Sequence, residues 1–158
     1  MRVLRSVDLD CSFEQCLEAL RRPRLMLHVA APLVTMIPVE PTALPELWEE
    51  RDYTVSLRLF GLIPLGRQTI VIRMVEVTPD RAELRDEGRG QLAKRWLHVI
   101  RVERTGAGCR YTDDISVEAG LITPVAWMFT HLLFWHRQRR WRALAASGAF
   151  ERVGLGGA

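Results

Sequence analysis

The chain has 158 residues, of which 48 % are hydrophobic and 26 % are charged, and its formal net charge is +3. This composition excludes a disordered or fibrous chain, and the length suits one domain around a single core. The basic residues are almost all arginine, and a charge of this size indicates non-specific attraction more than a particular partner.

The first part of the chain predicts one strand and two short helices. Residues 2–11 alternate between apolar and polar positions, as in a strand. Ser12 offers an N-cap, and Gln15 follows three residues later, which is a capping box opening a helix over residues 13–22. Pro32 ends a second short helix over residues 24–31.

The middle of the chain predicts a series of strands joined by short turns. The strands are expected at residues 33–39, 47–60, 69–77, 82–87, 92–104 and 110–118. Segments rich in Gly, Pro or Asp are expected to form the turns, at residues 61–66, 78–81 and 105–108. Because short turns join successive strands, the sheet is expected to be antiparallel, with one apolar face that needs a cover.

The segment 121–146 predicts one long helix that supplies this cover, because it is too long for a strand and has no Gly and no Pro after Pro124. One apolar stripe is expected to face a partner surface: Leu121, Val125, Met128, Leu132, Trp135, Ala143 and Ala146. A second stripe of Trp127, Phe134 and Trp141 is expected to pack in the core, with a homodimer seam as the alternative.

These elements together predict an α+β fold. A curved antiparallel sheet of about six or seven strands wraps around the long C-terminal helix, and two short helices follow the first strand. Residues 1–147 are expected to form a single domain. Residues 148–158 are rich in Gly and lack a pattern, so they are expected to form a flexible tail.

Three stretches of this sequence resemble a known superfamily: LWEERDYTVSLRLFGLIPL at 47–65, GAGCRYTDDISVEAG at 106–120 and LLFWHRQRRWRAL at 132–144. In particular, Thr112 and Asp113 follow a Gly-rich hairpin, and Arg137 follows Phe134 by three residues. The order of elements and these motifs are similar to the SRPBCC superfamily, the START-like helix-grip fold of pollen allergens and polyketide cyclases. The resemblance implies a deep cavity between sheet and helix that holds lipids, sterols, quinones or polyketides.

The polar residues expected to point into this cavity are Tyr53, His98, Tyr111 and Asp113. A few polar groups in an apolar pocket would orient a ligand. The alternative is that Asp113 pairs with an arginine such as Arg137 and only fixes the helix on the sheet. The complete set of expected ligand-binding residues is Tyr53, Leu57, Ile72, Trp96, His98, Tyr111, Asp113, Met128 and Leu132.

The function predicted from these residues is non-covalent binding of a hydrophobic small molecule. One alternative is an enzyme of the cyclase, aromatase or dehydratase type that uses the same cavity without a metal, although the sequence contains no independent sign of catalysis. Another is an interaction module that uses the arginine-rich helix end, residues 137–142. These arginines go around the helix instead of lining one face, so no specific nucleic-acid partner is expected.

No metal site and no cofactor are predicted. The cysteines Cys11, Cys16 and Cys109 lack CxxC spacing, no HExxH motif is present, and no Gly-rich phosphate loop follows a strand. An odd number of cysteines outside a disulfide framework favours a reducing cytoplasm. The first residues do not resemble a signal peptide, and no segment is apolar over the about 20 residues that span a membrane.

Overall fold

The computed structural model describes residues 1–91 and 93–155, and it confirms the predicted α+β class. In chain order the elements are β1 (Arg2–Leu9), α1 (Phe13–Leu20), α2 (Pro23–Ala30), β2 (Val34–Glu40), β3 (Asp52–Leu59), β4 (Ile63–Val77), β5 (Arg81–Gly90), β6 (Arg95–Thr105), β7 (Gly108–Glu118), α3 (Thr123–Ser147) and α4 (Phe150–Leu155). A short 3₁₀ turn, Gly120–Ile122, precedes α3. Leu92, the first residue of one predicted strand, lies outside the described residues.

The seven strands form one antiparallel sheet in the order β1-β7-β6-β5-β4-β3-β2. Both edge strands contribute to one apolar cluster around the long helix. Val3 of β1 and Val34 of β2 share this cluster with Leu133 and Phe134 of α3. The sheet therefore curls around α3, and its two edges approach the same helix.

The predicted phase of the strands is correct. Alternate side chains of β7 are buried toward the helix, namely Tyr111, Asp113, Ile115 and Val117, and Tyr53 and Val55 of β3 are buried in the same way. The capping box of α1 is also present, since the backbone N–H of Gln15 donates to Ser12 Oγ over 3.1 Å and Ser12 N–H donates to Gln15 Oε1 over 3.0 Å.

Two predicted boundaries between β2 and β4 are wrong. Residues 47–51 are not part of β3, because the Trp48 N–H donates to the Arg21 carbonyl and the Glu49 N–H donates to the Tyr53 hydroxyl, which holds them in a loop. The predicted turn 61–66 is mostly strand, since the turn itself contains only Phe60, Gly61 and Leu62. The proline and second glycine of that segment lie at a bulge in β4, where a proline is tolerated.

The rotation of α3 differs from the prediction. The stripe expected to face a partner is exposed, with 64 % of Met128 and 48 % of Leu132 accessible. The helix instead buries another face: Thr130, Leu133, Phe134, Arg137, Gln138, Trp141, Leu144 and Ala145. Hydrogen bonds set this rotation, because Gln138 Nε2 donates to Asp113 and Trp127 Nε1 donates to the Arg2 carbonyl.

The aromatic stripe of α3 packs in the core as predicted. Phe134 and Trp141 are fully buried, and Trp127 is half-buried against β1. Trp141 stacks on Tyr111 with 5.3 Å between the ring centroids. These rings therefore join α3 to the sheet and do not form an exposed seam.

The C-terminal segment forms a helix where a flexible tail was expected. Gly148 ends α3 in a left-handed conformation with φ 59°, and the Ala149 N–H reaches back to the Leu144 carbonyl over 3.0 Å. This turn sends the chain back over the domain, and Phe150 is buried with its ring 5.3 Å from Trp141. Residues 156–158 of the expected tail lie outside the described residues.

Phe150→Ala is expected to destabilise the domain by about 3 kcal/mol, because it removes a buried ring and leaves a cavity beside Trp141. Urea unfolding followed by tryptophan fluorescence measures the change. The control is Arg152→Ala, an exposed position of the same helix. Equal free energies of unfolding for both variants would contradict the packing of α4 described here.

Candidate functional site

A cavity of about 130 Å³ lies between the sheet and α3. This volume holds several waters, but it is below the about 300–1,000 Å³ of pockets that enclose drug-sized ligands. Its walls are mostly apolar and come from α2, the sheet and α3: Met26, Val34, Met36, Leu57, Leu65, Ile70, Ala93, Trp96, Val117, Ala126, Phe129 and Leu133. It therefore suits a small molecule, or one end of a larger one.

Three ionisable side chains lie deep in this apolar space: Asp86 of β5, His98 of β6 and Arg137 of α3. The same three residues also line a smaller cavity of about 30 Å³. Its other walls include Leu20, Trp48, Ile72, Leu84, Ile100 and Trp141. We call these three residues the polar partition, because they are the ionisable residues that line both the cavity of about 130 Å³, the outer cavity, and the cavity of about 30 Å³, the inner cavity.

Behind the partition, the buried carboxylate of Asp113 collects hydrogen bonds from three side chains. His98 Nε2 lies 2.8 Å and the Tyr111 hydroxyl 3.0 Å from Oδ1, and Gln138 Nε2 donates to Oδ2 over 2.9 Å. Burial alone would raise the pKa of Asp113, but His98, Arg137 and Gln138 outweigh it and lower that pKa. Burial also lowers the pKa of His98 despite the nearby carboxylate. The pair is therefore an ionised Asp113 that accepts a hydrogen bond from the Nε2–H group of a neutral His98.

Asp86 is a carboxyl group that ionises near neutral pH. Its Oδ1 accepts a hydrogen bond from the Val71 N–H over 2.9 Å. Burial raises the pKa of Asp86 to about 7, and the Val71 hydrogen bond and the Arg137 charge reduce this effect only in part. Asp86 thus changes between an acceptor and a donor within the range where many biological ligands change their own charge.

Arg137 is the most unusual group of the site. Its side chain is 6 % exposed, and its guanidinium lies over the Phe134 ring at 4.6 Å from the centroid. The Nε atom is buried and makes no hydrogen bond to any described residue. The Nε atoms of Arg5 and Arg140 and the Nε1 of Trp141 are in the same state, but of these four groups only Arg137 lines the outer cavity. Because most buried polar atoms in proteins have a partner, this Nε is the one available to a polar group inside the cavity.

The structure gathers some of the expected site residues and separates others. Leu57, Trp96 and His98 line the outer cavity, and Ile72 and His98 line the inner one. Tyr53, Tyr111 and Asp113 are fully buried around these cavities, and the Tyr53 hydroxyl bonds to the backbone of Glu49. Met128 and Leu132 do not belong to the site, because the rotation of α3 turns both of them outward.

Sequence reasoning missed Asp86 and gave Arg137 a different role. Asp86 occupies the inward phase of β5, in line with the buried Ala82 and Leu84, so the alternation contained a signal for it. Arg137 was expected as the ion-pair partner of Asp113, but the hydrogen-bond partners of Asp113 are His98, Tyr111 and Gln138.

The arginine-rich end of α3 does not present one basic surface. Arg137 is buried, Arg140 bonds to His28 Nε2 over 2.7 Å, and Arg139 lies over the Trp135 ring at 4.8 Å. The positive charges of this segment therefore point in several directions. Within the described part of the chain, no helix is both long and apolar enough to cross a membrane.

Comparison with known proteins gives a family and a fold. The model of a domain of unknown function, DUF8410, matches residues 17–145. The chain belongs to this family. No curated protein matches the sequence.

Solved structures share this fold at low sequence identity. Protein CV1439 from Chromobacterium violaceum is 15 % identical with a TM-score of 0.64, over 91 % of this chain and 96 % of that one. The di-domain ARO/CYC StfQ of the steffimycin biosynthetic pathway is 8 % identical with a TM-score of 0.62, over 94 % of this chain and 51 % of that one. The Aha1 dimer from Colwellia psychrerythraea is 9 % identical with a TM-score of 0.56, over 92 % of this chain and 96 % of that one. At these identities the likeness concerns the fold alone.

Asp86→Asn is expected to change how stability depends on pH. The folded pKa of about 7 lies above the ordinary 3.8, so the folded state binds a proton that the unfolded state releases between these values. The contribution of Asp86 to the free energy of unfolding of the wild type is therefore greatest at low pH and falls as the pH rises to about 7. Relative to wild type, Asp86→Asn should gain up to about 1.4 kcal/mol per pH unit between pH 4 and 7.

Urea unfolding at several pH values measures this difference. The control is Asp114→Asn. Because the hydrogen bond from Arg2 lowers the pKa of Asp114, the change in free energy of unfolding caused by this substitution should not vary with pH above about 5. A difference in free energy of unfolding between Asp86→Asn and wild type that stays constant from pH 4 to 8 would contradict the raised pKa of Asp86.

Proposed function

We propose that this DUF8410 protein binds a small, mostly apolar molecule that presents an oxygen acceptor to Arg137. The single observation that carries the proposal is the buried guanidinium of Arg137, which lines an apolar cavity while its Nε lacks a partner among the described residues. A carboxylate, phenolate or carbonyl oxygen would supply the missing acceptor, and a carboxylate matches the planar guanidinium best.

The charges around Arg137 support an acceptor from a ligand. Asp113 is a buried carboxylate that stays ionised, and its hydrogen bonds come from His98, Tyr111 and Gln138 and not from Arg137. Asp86 is largely protonated below its pKa of about 7 and then offers little negative charge. The charge of Asp113 therefore acts on Arg137 without a direct contact, and the Arg137 Nε still lacks an acceptor among the described residues, which favours a ligand head with an oxygen acceptor.

The fold also supports this proposal, at a coarser level. The aromatase/cyclase named above has the same architecture, and we propose that the chain belongs with it in the SRPBCC superfamily that its sequence resembles. Lipids, quinones and polyketides all combine apolar surface with oxygen acceptors, so each fits the cavity chemistry. A cytoplasmic location stays a prediction from the cysteines.

Octanoate and 1-octanol are suitable probes, because they share an apolar chain and differ in the polar head. Wild-type protein is expected to bind octanoate more tightly in isothermal titration calorimetry. Leu57→Trp should lower the affinity for octanoate at least about tenfold, because the indole ring fills the outer cavity. The matched control is Met128→Trp, which adds the same ring on the exposed side of α3. Equal affinities for both variants would contradict binding in this cavity.

Arg137→Met tests the role of the guanidinium, because methionine keeps the apolar stem and removes the charge. A hydrogen bond to a charged group contributes about 1.5–3 kcal/mol, so octanoate should bind roughly 10- to 100-fold more weakly, while 1-octanol changes little. Circular dichroism checks that the variant folds, and Arg137→Gln replaces it if not. Parallel losses for octanoate and 1-octanol would contradict an acceptor contact with Arg137.

A second candidate function is proton transfer to a bound polyketide-like substrate, by an enzyme of the cyclase, aromatase or dehydratase type. The observation that favours it is His98, which lines both cavities and is held by the buried Asp113. A neutral imidazole held in this way is suited to act as a general base. In this case His98→Ala would abolish turnover of a poly-β-ketone substrate while leaving ligand binding largely unchanged.

A homodimer also stays a prediction. Phe134 and Trp141 of the aromatic stripe first considered for it are buried and Trp127 is half-buried. The apolar residues exposed along α3 include instead Leu121, Val125, Met128, Leu132 and Trp135. Sedimentation of the wild type and of Met128→Glu measures the state directly. A monomer in both samples would remove the homodimer from consideration.

A further inference from the structure

The three cysteines meet at one point of the fold, although their spacing in the sequence predicts no metal site. Cys11 follows β1, Cys16 lies in α1, and Cys109 is the second residue of β7. Their sulfur atoms all lie within 4.8 Å of one another, and those of Cys11 and Cys109 are 3.8 Å apart. All three are free thiols. The three sulfur atoms thus form a triangle where the end of β1, the helix α1 and the start of β7 meet.

The size of this triangle suits a metal ion. Thiolates bind zinc at about 2.3 Å, so two thiolates on one tetrahedral or trigonal ion lie roughly 3.8–4.0 Å apart. The observed sulfur separations reach or slightly exceed this range, and small rotations of the side chains would close the difference. A disulfide instead requires the two sulfur atoms to approach about 2.05 Å, and it would leave the third thiol unused.

The surroundings of the triangle are asymmetric. Cys16 and Cys109 are fully buried among the core side chains, whereas Cys11 is partly exposed. Cys11 also lines a surface cavity of about 370 Å³ between α1 and the end of α3, together with Asp10 and the ion pair of Glu18 with Arg22. This cavity gives a metal ion a route to the sulfur atoms, and it gives a water access to a fourth coordination position.

We propose that Cys11, Cys16 and Cys109 form a binding site for one thiophilic d¹⁰ metal ion, Zn²⁺ or Cu⁺, through three thiolates. Each sulfur forms a bond to the metal and releases its proton to solvent, and no change in oxidation state is needed. Three thiolates suffice for Cu⁺, and Zn²⁺ would add a water at the side of Cys11. The site is separate from the cavity proposed above and does not depend on its ligand.

Untagged protein, reduced and freed of metal with a chelator under argon, tests the proposal. Zn²⁺ and Cu⁺ are added separately, and native mass spectrometry counts the ions retained by each chain. Wild type is expected to retain one ion of at least one of these metals, with a mass that shows loss of thiol protons. Bound metal should also slow alkylation of Cys11 by iodoacetamide, because the thiolate is then coordinated.

Cys11→Ser and Cys109→Ala are expected to weaken metal binding at least about 100-fold, in competition with a chromophoric chelator. Cys11→Ser changes a partly exposed residue, so it keeps the test valid if Cys109→Ala fails to fold. The matched control is Asp10→Asn, which removes a carboxylate from the same surface cavity and should retain the ion. The proposal is overturned if wild type retains neither metal, if Cys11→Ser binds as tightly as wild type, or if oxidation to a Cys11–Cys109 disulfide is the sole chemistry seen.

Discussion

The carboxylate of Asp113 is completely buried where the long helix α3 crosses the sheet, and an unpaired charge in that position would cost many kcal/mol. The fold meets this cost with side chains from three elements: His98 of β6, Tyr111 of β7 and Gln138 of α3. Gln138 also donates to the Arg5 carbonyl of β1 over 3.0 Å. The rotation of α3 is therefore fixed at one point, because only one orientation of the helix brings Gln138 to both acceptors.

The rotation set by Gln138 also determines what lies in the cavity. Arg137 precedes Gln138 in the helix, so the same orientation carries the guanidinium into the domain and toward Asp86 and His98. The opposite face of α3, with Met128 and Leu132, is turned to solvent for the same reason. The polar partition is thus a geometric consequence of satisfying Asp113, and the residues that stabilise the helix–sheet contact also define the candidate site.

The sequence predicts the strand faces well but not the rotation of the helix. Alternation in β7 places Asp113 inward because its apolar neighbours on that phase leave no other choice. The first half of α3 is apolar nearly all round, so periodicity alone favoured the wrong stripe, and residue type alone assigns Gln138 to solvent. The partners that reverse this assignment are distant in the chain: Gln138 is 25 residues from Asp113 and 133 from Arg5. The cysteine triangle was missed for the same reason, since Cys109 joins Cys11 only through the pairing of β1 with β7.

Arg137 combines a buried Nε that lacks a partner among the described residues with a position in the wall of the outer cavity. The buried Nε atoms of Arg5 and Arg140 also lack a partner among the described residues, but neither residue lines the outer cavity, and Arg140 bonds to His28 through Nη2. At position 137 a methionine or leucine would fill the space without the desolvation cost, and replacing buried charges by apolar residues is often stabilising. A buried arginine whose Nε has no partner among the described residues is a local cost that stability does not explain. Local costs of this kind are typical of functional sites, which agrees with the ligand contact proposed for Arg137.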